Sequence, residues 1–285
     1  MSAFEDRYWT SKDGLRLHYR DYAGRADRPP VICLHGLTRN ARDFDTLASR
    51  LAGEWRVLCP DMRGRGDSDY SKDAATYSPL QYVEDVGELL ADQAIDRFVS
   101  IGTSMGGLMT LVMGWQAPQR LAACLFNDVG PELELAGLER IKEYVGQGRN
   151  FPTWMHAARA LKESQGSAFP DSQAGDWLAM AKRVMTLSSN GRIVFDYDMK
   201  IAKPFADMDF TNQPDMWPAF DALADKPMVV VRGALSDLFS EGTMQKMLSR
   251  ATDAEGVIVT RVGHAPTLDE PEVTAAIDRM LAKLA

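Results

Sequence analysis

Near the start of the chain Leu15, Leu17 and Tyr19 alternate with Arg16, His18 and Arg20. This is the period-two signature of a strand with one wet face, and it places His18 at the surface. After a polar turn region over 24–30 the pattern changes. Val31-Ile32-Cys33-Leu34 is a short unbroken apolar run, as expected of a strand buried on both faces of a parallel sheet. Runs of the same kind recur at 56–59, 98–101, 121–126, 228–231 and 257–259. Between the second and third of these, Leu80, Val83, Val86, Leu89 and Leu90 fall at helical spacing, and Val273, Ile277, Met280, Leu281 and Leu284 mark a closing helix. Strand and helix alternate, which predicts an α/β fold with a mostly parallel sheet covered by helices on both sides.

The rhythm fails between about residues 131 and 218, where no β-branched run stands out. Trp154, Met155, Trp177, Met180, Met185, Phe205, Met216 and Trp217 occur there among helix-forming polar residues. The expected organisation is a core built from 1–130 and 219–285, with a helical lid over 131–218 inserted after the apolar run at 121–126. No repeat or low-complexity tract marks the segment as a linker.

Composition narrows the class. With 32 Lys and Arg against 40 Asp and Glu, the formal charge of −8 argues against nucleic-acid binding. No stretch approaches the length of a membrane span, and the start Met-Ser-Ala-Phe-Glu-Asp-Arg lacks the apolar core of a secretory signal, so a cytoplasmic location is expected. Cys33, Cys59 and Cys124 are odd in number, sit in apolar runs and lack close pairing. They read as small buried residues rather than as a disulfide or zinc set.

Gly102-Thr103-Ser104-Met105-Gly106-Gly107 follows one apolar run and precedes the helix-like 108–115. In a G-x-S-x-G elbow the chain reverses from strand to helix so sharply that only small neighbours fit, and the serine is lifted above the sheet edge. Two further groups leave core strands toward the same edge: Asp237 in Gly233-Ala234-Leu235-Ser236-Asp237, and His264 in Val262-Gly263-His264. Ser104 is the expected nucleophile, His264 the base and Asp237 the orienting acid, while Asp128, in Asn127-Asp128-Val129-Gly130, also ends a core run and competes for the third role. Of the other histidines, His18 lies in an early strand, His156 in the lid, and His35 reads as an anchor for its own loop. The charges Asp61, Arg63, Arg65, Asp67 and Asp69 read as loop salt bridges and turn formers.

These motifs, with Leu34-His35-Gly36-Leu37 and Asp61-Met62-Arg63-Gly64-Arg65-Gly66-Asp67-Ser68, resemble the α/β-hydrolase family over nearly the whole chain. The resemblance implies an eight-stranded sheet, the chain order Ser, Asp, His, and an oxyanion hole formed by the backbone N–H groups of Leu37 and Met105. Substrate contacts are expected at Gly36, Leu238 and Trp154. The implied activity is cofactor-independent and metal-free hydrolysis of a small hydrophobic or aromatic ester through an acyl-enzyme. Alternatives on the same triad are cleavage of a carbon–carbon bond beside a ketone, or a cofactor-free peroxidase or lyase reaction. A small-ligand receptor with this fold is the alternative of another class. The expected partner is a small molecule, and the chain is expected to act as a monomer or homodimer.

Overall fold

The apolar runs become the inner strands of one sheet. A computed structural model describes residues 4–285, and Met1, Ser2 and Ala3 of the start read above lie outside the described residues. The strands β1 (Glu5–Thr10), β2 (Arg16–Tyr22), β3 (Val31–Leu34), β4 (Val57–Pro60), β5 (Phe98–Thr103) and β6 (Leu121–Asn127) come first. They are interleaved with the helices α1 (Asp45–Leu51), α2 (Pro79–Asp92) and α3 (Met105–Gln116). After an inserted segment, β10 (Met228–Gly233), α9 (Glu241–Arg250), β11 (Ala254–Val259) and α10 (Pro271–Ala282) complete the sheet and its cover. The segment itself holds α4 (Leu135–Tyr144), β7 (Asn150–Phe151), α5 (Trp154–Gln165), α6 (Ala174–Val184), β8 (Met185–Leu187), β9 (Ile193–Phe195), α7 (Ala202–Ala206) and α8 (Trp217–Asp221).

The eight strands lie in the order β1-β2-β4-β3-β5-β6-β10-β11. Pairing is parallel from β4 to β11, and β1 and β2 form an antiparallel edge. Each inner strand is buried along nearly its whole length, which is why it reads as an unbroken apolar run rather than an alternation. Two apolar layers flank the sheet, one including Met109, Phe126 and Phe220, the other Phe44, Val231 and Ile277. No helix among the described residues is long and apolar enough to cross a membrane. Cys33, Cys59 and Cys124 are free and buried.

Two local expectations change. His18 is buried rather than at the surface, because the loop after β4 folds over that face of β2: its Nδ1 lies 2.7 Å from an Asp61 oxygen and its Nε2 3.0 Å from Asp6. The inserted segment also contains a small antiparallel sheet, β7-β9-β8, whose strands of two or three residues are too short to leave a periodic signal. Phe151, Leu161, Trp177, Met185 and Ile193 give the segment a core of its own, whereas Trp217 and Phe220 belong to the main core.

Candidate active site

Ser104 stands at the junction of β5 and α3 with φ of 52°. Such a conformation survives only where neighbours leave no room for the chain to relax. A Cβ on Gly102 would lie 2.5 Å from the Gly106 backbone, and one on Gly106 would lie 2.0 Å from the Leu34 carbonyl oxygen, so both positions require glycine. The Ser104 N–H donates to the Asn127 carbonyl at 3.0 Å, locking the turn to β6.

The Ser104 hydroxyl donates to His264 Nε2 at 2.9 Å, and His264 Nδ1–H donates to an Asp128 oxygen at 2.7 Å. The His264 side chain is 9% exposed and that of Asp128 fully buried. The loop carrying His264 is held from two sides: Gly263 N–H donates to Ala168 in the inserted segment at 2.7 Å, and the Asn127 amide donates to the Pro266 carbonyl at 2.9 Å.

The carboxylate on His264 is therefore Asp128, and the expectation for Asp237 is corrected. Asp128 leaves β6 with φ of 55° and turns into the interior, where it also accepts from Gly233 N–H at 2.8 Å and the Ser236 hydroxyl at 2.6 Å. These bonds tie the loop after β10 to Asp128. Asp237 is left facing α4, where Arg140 binds it through Nε and, at 2.7 Å, through Nη2. The Arg140 hydrogen bond holds the Asp237 carboxyl below its ordinary range, so it stays an anion on the cavity wall.

Over this row lies a cavity of about 700 Å³, walled by the inserted segment and lined by Gly36, Leu37, Ser104 and His264 together with Phe44, Leu161, Phe169, Met180 and Val184. Gly36 thus falls where expected: a Cβ there would sit 3.6 Å from that of Ser104. Leu238 and Trp154 do not line the cavity. Leu238 is buried beneath Gly137 of α4, and Trp154 packs on the core of the inserted segment at the start of α5. His156 lies in the first turn of α5, 2.9 Å from the Thr153 hydroxyl and away from the row.

The N–H groups of Leu37 and Met105 have no hydrogen-bond acceptor among the described residues, which leaves both available to a ligand oxygen. Leu37 is held by its neighbours. Arg65 donates to its carbonyl through Nε at 3.0 Å and Nη2 at 2.8 Å, and His35 Nδ1–H donates to the Gly36 carbonyl at 2.7 Å. His35 Nε2 accepts from Met62 N–H at 3.1 Å, which fixes a neutral ring. Burial, with the Arg65 charge adding to it, pushes the His35 imidazolium down to about 4.

Four guanidinium groups also line the cavity. Arg39 is taken up by Asp43 through two bonds of 2.6 and 2.8 Å, and Arg140 by Asp237. Arg183, 30% exposed, has only Asp269 at 3.8 Å, and Arg149 makes no ion pair among the described residues. Cation-holding donors converge at one place among the described residues, where His18, Asp61 and Asp67 lie close together. There the two His18 nitrogens face Asp61 and Asp6, and Asp61 accepts from the N–H groups of Ala41 and Asp67, so the donors are engaged with one another.

Fold and site together define a hydrolase of the alpha/beta type: a family model described as "Alpha/beta hydrolase family" matches residues 31–277, and the chain belongs to that family. Its relatives sharpen the picture. The 3-hydroxybutyrate-oligomer hydrolase of Cupriavidus necator is 35% identical over 263 residues, covering 90% of this chain and 89% of that protein. The 2-(acetamidomethylene)succinate hydrolase of Mesorhizobium japonicum is 24% identical, covering 86% and 85%. The crystal structure of an alpha/beta hydrolase from Novosphingobium aromaticivorans is 61% identical over 99% of both chains, with a TM-score of 0.96.

Proposed function

We propose that this protein hydrolyses carboxylic esters of short hydroxy acids, such as oligomers of 3-hydroxybutyrate, through an acyl-enzyme on Ser104. The observation that carries the reading is the hydrogen-bonded row Ser104–His264–Asp128 opening into the cavity. As Ser104 Oγ attacks the ester carbonyl, its proton passes to His264 Nε2, while Asp128 holds the ring by Nδ1–H and stabilises the imidazolium. The carbonyl oxygen becomes an oxyanion and takes the free N–H groups of Leu37 and Met105. Collapse of this intermediate breaks the ester C–O bond, and the leaving alkoxide receives the proton from Nε2. Water, deprotonated by His264, then releases the acid and restores the Ser104 hydroxyl.

The substrate class follows from the wall. Phe44, Leu161, Phe169 and Met180 suit a short aliphatic chain, while Arg183 offers a cation with only a distant carboxylate. Its backbone is anchored, because its carbonyl accepts from the Asn40 amide and from Arg42 Nε, each at 2.9 Å. Arg149 is more exposed, and its charge is correspondingly more screened. An ester that also carries a free carboxylate, as every hydroxy-acid oligomer does, matches an apolar wall with a cation whose nearest carboxylate is 3.8 Å away. The likeness to the 3-hydroxybutyrate-oligomer hydrolase supports the same class.

The test is titration of acid released from 3-hydroxybutyrate dimer and trimer, beside p-nitrophenyl butyrate as a neutral ester. The wild type is expected to turn over all three, and Ser104→Ala to lose at least about 10³-fold while remaining folded. Undiminished turnover by Ser104→Ala would place the nucleophile elsewhere.

A further inference from the structure

Arg63 and Arg65 are both fully buried, two residues apart in the loop after β4, yet their surroundings differ in kind. Arg63 is neutralised by two carboxylates, Asp85 at 2.6 and 2.7 Å and Asp13 at 2.8 and 3.0 Å. Arg65 makes no ion pair among the described residues. Its donors go to the Leu37 carbonyl, to the Arg63 carbonyl at 2.8 Å and to Met105 Sδ at 3.8 Å. Its guanidinium carbon also lies 4.7 Å from the centre of the Tyr82 ring. A buried cation without a counter-anion is costly, because carbonyls and a ring face replace only part of its lost hydration. The two residues that Arg65 grips, Leu37 and Met105, are those whose N–H groups take no acceptor among the described residues.

We infer that Arg65 is a positioning residue of the oxyanion hole, and that the anion completing its charge balance is the tetrahedral intermediate formed on Ser104. The inference rests on the acyl-transfer reading of the site. In the resting protein Arg65 fixes the two donor residues through Leu37 O and Met105 Sδ. In the transition state its positive charge, a few ångströms behind those donors in a low-dielectric interior, favours the oxyanion over the neutral ester. It forms no bond to substrate and exchanges no proton. The backbone bridge between Arg65 and Tyr197, with Gly66 N–H on the Asp196 carbonyl at 3.2 Å, ties this loop to the inserted segment as well. Arg65 thereby joins the cavity's cover to the donors that it must keep aligned.

The experiment compares Arg65→Gln and Arg65→Lys with the wild type on p-nitrophenyl butyrate. In parallel it measures the affinity of butylboronic acid, which becomes a tetrahedral anion on the serine oxygen, and of a neutral ether isostere of the ester. The expected result for Arg65→Gln is a fall in kcat of about ten- to hundredfold with KM within about twofold. Boronate affinity should weaken by the same factor, ether affinity should hold, and Arg65→Lys should recover much of the loss because it restores the charge. Unchanged kcat and boronate affinity would overturn the inference, as would equal losses for boronate and ether, or Lys performing no better than Gln. If neither variant melts cooperatively, Arg65 belongs to the scaffold and the inference also fails. Turnover surviving in Ser104→Ala would sink the acyl-transfer reading along with it; a dead Ser104→Ala beside unaffected Arg65 variants would sink this inference alone.

Discussion

Asp128 and Asp237 follow the ends of neighbouring parallel strands, β6 and β10, and meet opposite fates. Asp128 is withdrawn into the floor of the cavity, fully buried, with His264, Ser236 and Gly233 all donating to it. Asp237 stays on the wall, 39% exposed, held by Arg140 from the inserted segment. The contrast extends to their surroundings. On the floor, Ser104, His264, His35 and Arg65 are fixed by main-chain and buried side-chain bonds, the setting in which charge interactions are strong and geometry is kept. On the wall, Arg39, Arg140 and Arg183 are partly solvated long side chains on or facing the insertion, where interactions are weaker and easily retuned. The proposed function assigns chemistry to the floor and selectivity to the wall.

Breaking the floor should have the largest effect. Asp128→Asn would leave the shape but remove the charge that steadies the imidazolium, and kcat is expected to fall by about 10³ to 10⁴ with KM little changed. Steady-state kinetics on a neutral ester read this directly, and a loss below tenfold would put Asp128 outside the machinery. His35 is next. Because its folded-state value lies near 4, below that of the unfolded chain, the unfolded state takes up a proton first as the pH falls. The neutral ring's contribution is intact above about pH 6.5 and is lost between there and pH 4, by about 3 kcal/mol. Urea midpoints across that range should fall more steeply for the wild type than for His35→Gln; parallel slopes would mean that His35 charges without penalty.

The wall is expected to respond through KM. Arg183→Gln should raise KM for 3-hydroxybutyrate dimer about tenfold while leaving p-nitrophenyl butyrate unaffected. An equal loss on both esters would show that Arg183 supports the fold rather than a carboxylate. The smallest effect is assigned to Asp237→Asn: kcat within about threefold, and a coupling to Arg140→Met below about 1 kcal/mol in a double-mutant cycle on stability, given the exposure of both partners. If Asp237→Asn were instead more damaging to kcat than Asp128→Asn, the division between floor and wall would be reversed.

Much of the floor could be read along the chain because its requirements are local. The Ser104 elbow demands glycine at 102 and 106, and His264 is the histidine that follows the last core strand, β11. The acid could not be read that way. Both candidates end core strands, and the choice was made by three donors from elsewhere in the chain, Gly233, Ser236 and His264, which only folding brings to Asp128. The same holds for Arg65: its motif looks like that of Arg63, but the carboxylates that separate the two come from Asp13 and Asp85. Leu238 and Trp154 failed as cavity residues because lining depends on how α4 and α5 sit against the core, which no period or spacing records. His18 carried a wet-face pattern only because the loop that buries it lies more than forty residues away.

The most direct measurement is covalent: treatment with a fluorophosphonate, then peptide mass spectrometry of the wild type and of Ser104→Ala. One adduct per chain on the peptide holding Ser104, absent from Ser104→Ala and formed far more slowly by Asp128→Asn than by Asp237→Asn, is the expected result. Labelling at another residue, or none in a folded wild-type protein, would contradict the assignment of this site to acyl transfer.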